Sequence, residues 1–422
     1  MQVYLSLLRR RPGFTRLWIA QIVSLLGDWF STIVLAAMVR SYTQEAAYAG
    51  LAISALFLAQ TLPPLLFSPV AGMLVDRFDR RLLLVGSNYL RIFTVLGLLF
   101  VNSAETLWLL YTLRVLQFIL STVFEPGQSA LVPMLVERDE LTIANTLLST
   151  TWSVMLAVGA VLGGVVGALF GTQVALLIDA ATFLVAGTVL LTIQAEKKPR
   201  PQTQASVDEP DYSFWEALRY LRRHPQKISP LTIKFAGSLG NIDTILTFYA
   251  TSIFVIGDGG ELSLGLLYSA FGVGAIIGPL VMNRFHAGSL PALRRSVAVG
   301  FVWITLGWLV LAGAPLLIVA AGAIMLRAMG NSVNWVYSTT MIQKNFPDEY
   351  LGRAFSIDMA GFYLASVLSL LVHGALIDVY GAESLRAIVL GTAGVSVLPL
   401  VAWAAYTLRQ EAGARPVSSA GD

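Results

Sequence analysis

The chain has 422 residues, 56% of them hydrophobic and only 13% charged, with a formal net charge of +3. Soluble domains carry about 25% charged residues, so lipid is the expected solvent, and so small a net charge argues against a nucleic-acid partner. Cysteine is absent and the three histidines (His224, His286, His373) lie far apart, which excludes disulfides, thiolate metal sites and iron–sulfur clusters. No metal or other cofactor is expected.

A spanning helix needs about 20 mostly apolar residues. The first such run, 17–40, contains Asp28. It is longer than the roughly 7–15-residue core of a signal peptide, so it reads as a membrane helix rather than a cleaved leader. Further spans are expected at 48–74, 82–102, 106–124, 143–169 and 173–194, and again at 229–256, 262–283, 294–313, 315–340, 353–378 and 384–408. The short links Asn102–Glu105 and Phe170–Gln173 imply antiparallel neighbours. Pro63, Pro64 and Pro69 should bend the second span.

Between the two groups of six lies the one long polar stretch, 195–228. It opens as a Pro/Gln/Ser-rich linker. Phe214, Leu218 and Leu221 then recur at helical spacing between Glu216, Arg219, Arg222 and Arg223, as in a short amphipathic helix on a membrane surface. The expected organisation is therefore a six-helix bundle at 1–194, a linker at 195–228, and a second bundle with a short tail at 229–422. With both termini inside the cell, 22 basic residues fall on the cytoplasmic side and two, Arg40 and Arg386, outside. That asymmetry sets the expected location: multi-pass in the plasma (inner) membrane, both termini cytoplasmic, surrounded by lipid and monomeric.

The loop after the second span reads Gly72-Met-Leu-Val-Asp76-Arg77-Phe-Asp79-Arg80-Arg81, and Met282-Asn-Arg284-Phe285 echoes it in the second group. Together with six plus six spans, this resembles the major facilitator superfamily, whose signature here is Gly-x-Leu-Ala-Asp-Arg-x-Gly-Arg-Arg/Lys. Phe124-Glu-Pro126, Leu131-Val-Pro133, Glu140-Leu141, Ala144-Asn145 and Pro347–Ser356 are similar to its macrolide-efflux and enterobactin-exporter branch. The resemblance implies an all-α fold of twelve helices in two pseudo-symmetric bundles that rock around a substrate held near mid-bilayer. It also implies that the first, fourth, seventh and tenth helices line the cavity, and that the loop at Gly72, Asp76, Arg77, Arg80 and Arg81 gates it. In that role Asp76 would cap the N-terminus of the eleventh span. A basic loop that merely holds orientation is the alternative.

Each of those four helices carries one central charge: Asp28, Arg114, Asp243 and Arg327. An unpaired charge at a helix centre costs about 2.5–3.5 kcal/mol on insertion scales, so these groups must pair or face water. The signs suggest Asp28 with Arg114 and Asp243 with Arg327. Either protonation of the aspartates couples protons to the rocking, or the pairs are static. Arg114-Val-Leu-Gln117 resembles the family's Arg-x-x-Gln pattern. Arg91, Asp179, Lys234 and Asp358 also lie inside spans, while Glu125 and Asp378 sit near helix ends where solvation is cheaper. Gly159, Gly163, Gly167 and Gly171 recur every fourth position, as close helix packing requires. Alternatively, Gly159–Gly164 is a form of the family's antiporter signature in which Ala160 replaces proline.

Trp29, Phe30, Phe248, Tyr249, Trp335 and Tyr337, with Gln117, are the candidate cavity wall, joined by Phe362 and Tyr363. The expected activity is proton-coupled efflux of a lipophilic or amphipathic small molecule such as a drug, macrolide or siderophore. The alternatives are transport of a lysophospholipid or other lipid, and a non-transporting receptor or regulator on the same fold. No clustered nucleophile or metal set suggests an enzyme.

Overall fold

A computed structural model describes residues 2–193, 219, 221–224, 227–257, 259–284 and 289–413. The expected amphipathic helix in the 195–228 linker lies almost wholly outside these residues. The helices are α1 (Gln2–Arg10), α2 (Pro12–Tyr42), α3 (Ala49–Arg77), α4 (Arg80–Leu98), α5 (Leu107–Ser121), α6 (Phe124–Leu135), α7 (Leu141–Leu191), α8 (Ile233–Gly237), α9 (Asp243–Phe248), α10 (Glu261–Asn283), α11 (Leu290–Ala312), α12 (Leu317–Asn345), α13 (Asp348–Tyr380) and α14 (Leu385–Gly413). No strand occurs among the described residues. In lipid the backbone must satisfy its own polar groups, and the chain does so by helix formation. It is an all-α integral membrane protein.

Among the described residues, ten helical stretches are long and apolar enough to cross a bilayer. One of them, within the 51-residue α7, is two spans end to end. Gly171 interrupts it at φ 79°, a conformation that an L side chain resists. The seventh expected span is not continuous. It runs as a 3₁₀ turn at Ser229–Thr232, α8, a break, α9 and a π-turn at Tyr249–Ile253. Ten stretches, one of them double, plus this broken segment are consistent with the twelve crossings expected.

Local chemistry sets the ends. Pro12 opens α2, where a missing N–H loses nothing. Asp79 caps α4 by accepting from the Leu82 N–H at 3.0 Å. Ser289 caps α11, with Pro291 in its first turn.

Cα packing divides the chain into two compact units. The first is Met1–Pro210 with Ile242–Gly272 and Leu370–Leu385. The second is Asp211–Asn241 with Val273–Ser369 and Arg386–Asp422. This division does not follow the sequence boundary at 195–228, because parts of the seventh, eighth and eleventh spans pack in the first unit.

Within that unit α2 lies along α7. A Cβ at Gly163 would come 2.9 Å from the Phe30 Cα. On the next face Gly164 and Gly265 bring α7 and α10 together, a Cβ on Gly164 meeting the Glu261 carbonyl at 2.6 Å. Glycine is needed at both, and the packing reading of the ridge holds for Gly159, Gly163 and Gly167. Gly171 instead ends a helix.

The Asp378 carboxylate accepts from the Gly50 and Leu51 N–H groups at 2.5 and 3.0 Å. It caps the first turn of α3 rather than simply reaching solvent as expected. Ser54, one turn further on, donates to the Leu370 carbonyl at 2.7 Å and pairs with the Thr244 hydroxyl at 3.0 Å.

Candidate functional site

In the first unit, Gln21, Ser24, Asp28, Ser31 and Thr32 form a polar stripe along α2, at successive helical turns. Asp28 is paired with Arg91 of α4, and this guanidinium also reaches Ser24 Oγ at 3.4 Å and stacks 3.9 Å from the centre of the Phe183 ring. The expected partner, Arg114, sits one turn further along. It donates to Gln117 Oε1 at 3.0 Å and to the Ser31 and Thr32 hydroxyls, both at 3.3 Å. The Asp28–Arg114 pairing is therefore corrected to Asp28–Arg91. Arg114 is fully buried among neutral acceptors, so its charge is solvated by a protein cage. Gln117 is fully buried as part of that cage rather than a wall residue.

Asp179 of α7 completes the cluster. It is fully buried, and neither carboxylate oxygen has a hydrogen-bond partner. Gly27 admits it: a Cβ there would stand 2.4 Å from Asp179 Oδ1 and 2.0 Å from Thr182 Oγ1.

Trp29 stacks at 5.5 Å on Tyr268, whose hydroxyl donates to Asp243 Oδ1 at 2.7 Å. An aromatic chain thus runs from the neighbour of Asp28 to Asp243 inside one unit. Phe30, Phe248 and Tyr249 are buried core residues, 4%, 1% and 0% exposed, so they are packing rather than open wall. The Arg40 guanidinium lies 4.9 Å from the Phe248 ring centre. A cavity of about 300 Å³ opens near Ser41, Tyr42, Asn102, Gln173 and Glu261, away from the charged cluster.

In the second unit the break at 238–242 organises the site. An interrupted helix in a bilayer frees backbone groups that must find partners. The Asn241 N–H donates to Ser369 Oγ at 2.7 Å, the Ser369 hydroxyl reaches the Leu239 carbonyl at 3.2 Å, and Arg327 donates to the Gly240 carbonyl. Arg327 also lies over the Trp308 ring at 4.6 Å, and a Cβ on Gly240 would strike that ring at 2.8 Å. Arg327 thus serves a broken backbone. Asp243 packs in the first unit, where it accepts from the Tyr268 hydroxyl.

Lys234 and Asp358 form a buried pair, Nζ to Oδ2 2.6 Å, with side chains 2% and 0% exposed. The ammonium is 4.3 Å from the Trp335 ring centre, and Trp335 meets Phe362 edge-on at 5.1 Å. Trp335 is 37% exposed. Tyr337 is 3% exposed and donates to Asn283 Oδ1 at 2.9 Å, which makes it a packing group.

In the loop, Arg80 donates to the Ala130 carbonyl at 2.9 Å and Arg81 to the Leu191 carbonyl at 2.6 Å, while Arg77 is exposed. Asp79, which replaces the signature glycine, serves as the α4 cap. A Cβ at Gly72 would meet nothing within 4 Å. The Asp76 side chain lies outside the described residues.

The broken helix and the pairings of Arg91 and Lys234 escaped the sequence reading. The signals were present as Gly237-Ser-Leu-Gly240-Asn241 inside an apolar run and as the α2 stripe at spacings of three and four.

Membrane-spanning helices, buried charges within them and an interrupted helix define a membrane transporter. The Major Facilitator Superfamily model matches residues 17–291 and 259–422, and the chain belongs to that family. It is 26% identical over 396 residues to the uncharacterized MFS-type transporter YfiS of Bacillus subtilis, covering 89% of each chain. It is 24% identical to the multi-drug resistance efflux pump PmrA of Streptococcus pneumoniae over 80% of this chain and 81% of that one. To macrolide efflux protein A of Streptococcus pyogenes it is 23% identical over 87% and 90%. Among solved structures, nucleoside transporter NupG superposes with a TM-score of 0.72 at 12% identity, covering 93% and 99%. A bacterial homologue of the iron transporter ferroportin gives 0.69 at 17%, covering 94% and 98%. These likenesses show the fold. The chain is a multi-pass transporter of this superfamily, acting on a small molecule.

Proposed function

We propose that this protein is a proton-coupled exporter of a lipophilic or amphipathic compound, working by alternating access in the plasma membrane with both termini cytoplasmic. The observation that carries the reading is the Asp28 cluster. One carboxylate, 25% exposed, is held by a guanidinium that is 3% exposed. Such a pair is stable only while both charges are present, since losing one leaves the other buried and unpaired. Protonation of Asp28 releases Arg91, which keeps its contact with Ser24 Oγ and can then turn toward Asp179. That exchange links a proton to helix position. The names of PmrA and macrolide efflux protein A support an efflux direction.

The two six-helix halves, 1–194 and 229–422, are the proposed moving bodies, and the protein acts as a monomer. The Gly72–Arg81 loop is the proposed latch on the cytoplasmic side. Its support is mechanical: Asp79 caps α4, Arg80 ties the loop to α6 at the Ala130 carbonyl, and Arg81 ties it to the end of α7 at the Leu191 carbonyl. Trp335 is the proposed wall residue, with Trp29 and Tyr268 near the coupling group. One proton moving down about 150 mV supplies roughly 3.5 kcal/mol, enough for a few-hundred-fold gradient of a neutral compound.

The test is Asp28→Asn in proteoliposomes under an imposed pH gradient. Compound should still bind, while the gradient-driven accumulation disappears. Full accumulation by Asp28→Asn would remove the proposal.

A further inference from the structure

We propose that Asp179 is a second proton-binding group of this transporter, holding a proton in the conformation seen here. The inference deepens the proton-coupled reading, on which its consequence for transport rests. Its basis is geometric.

Asp179 is fully buried, and both of its oxygens lack a hydrogen-bond partner. An ionised carboxylate that no side chain or backbone donor satisfies is costly to bury. No packed neighbour completes a hydrogen bond to it, although the Ser31 hydroxyl and the Arg91 and Arg114 charges lie near enough to be felt. On α2, Gly27 has no side chain, Asp28 is itself an anion, and the Ser31 hydroxyl lies toward the Gly27 and Asp28 carbonyls. On α4, Arg91 donates to Asp28 and Ser24, and its Nε–H meets no acceptor. On α5, Arg114 is taken by Gln117, Ser31 and Thr32. On its own helix, the Thr182 hydroxyl donates to the Asp179 backbone carbonyl at 2.7 Å, not to the carboxyl.

Two carboxyl groups thus share one pocket with two arginines, and one of them receives nothing. Like charges this close favour a proton on one member. The bare Gly27 backbone lets the acid group press against α2, so movement of α2 along α7 changes what Asp179 meets. When Arg91 leaves Asp28, Asp179 is another carboxyl group within its electrostatic reach. Its proton then leaves as the guanidinium arrives, and charge balances without a further group.

Infrared spectra of the purified protein in an ester-free detergent, without substrate, test this directly. The wild type should show a protonated-carboxyl C=O band at pH 7. That band should vanish in Asp179→Asn, persist in Asp28→Asn, and return shifted in Asp179→Glu. Absence of the band from the wild type, or its survival in Asp179→Asn, would overturn the proposal. Wild-type titration needs no variant to fold. If the band behaves as expected but wild-type transport ignores an imposed pH gradient, the coupling reading fails and the proton site stands.

Discussion

Removing one member of the Lys234–Asp358 pair leaves a buried charge unmatched. Lys234→Met should therefore destabilise the purified protein by about 3–5 kcal/mol. The double variant Lys234→Met/Asp358→Leu, which removes both charges, should recover most of that loss. Thermal unfolding in detergent checks both. A double variant as unstable as the single would mean that the pair does not carry the penalty. At this scale the sequence showed which residues carry buried charge but not which meet. Asp28, Arg91 and Arg114 come from different helices, and the pairing depends on helix rotation. The α2 stripe reveals one face only. The donation of Arg327 to the Gly240 carbonyl could not be read from charge, because that acceptor is a backbone group exposed by a break.

Two helix ends carry the element-scale expectations. The carboxylate of Asp378 meets the N-terminal N–H groups of α3, a contact worth about 0.3–2 kcal/mol. Asp378→Ala should loosen that end of α3, and a loss near 1 kcal/mol corresponds to roughly a fivefold shift in an opening equilibrium. The protein has no cysteine, so a single Ala52→Cys reporter is clean. Its labelling rate by a thiol reagent should rise by about that factor in the Asp378→Ala background. An unchanged rate would show that the cap does not hold the segment.

At α1, Arg11 bridges Glu137 and Glu140, with Arg11 Nε to Glu140 Oε2 at 2.7 Å and Arg10 3.4 Å from Glu140. Burial pushes the Glu140 carboxyl up, but the Glu137 N–H and Arg11 outweigh it and hold the group below its usual range. A depressed carboxyl contributes stability above its unfolded value of about 4.3, and that stability is lost as pH falls through the folded value. A spin label at Leu5 should therefore gain mobility only below about pH 4 in the wild type, and already at pH 7 in Glu140→Gln. Equal mobility in both at pH 7 would remove this anchor. The long apolar runs made nearly every helix legible. The seventh span was not, because its hydrophobicity is continuous while its backbone is not, and only Gly237, Gly240 and Asn241 hint at the break.

At the scale of the whole molecule, the membrane-spanning helices, the two compact units and the buried charges in both belong to a transporter of this superfamily. The family signature was readable directly from Gly72 to Arg81. The grouping of 242–272 and 370–385 with the first unit was not, since it depends on contacts such as Gly164 with Gly265 and Asp378 with Gly50 that join residues far apart in the chain.

The most direct test of proton coupling uses acid-loaded liposomes containing the purified protein and an internal pH dye, challenged with a panel of amphipathic compounds. The expected result is a rise in internal pH that depends on both compound and protein and is absent with Asp28→Asn. Compound uptake that proceeds with no proton movement, indifferent to pH and potential, would contradict it.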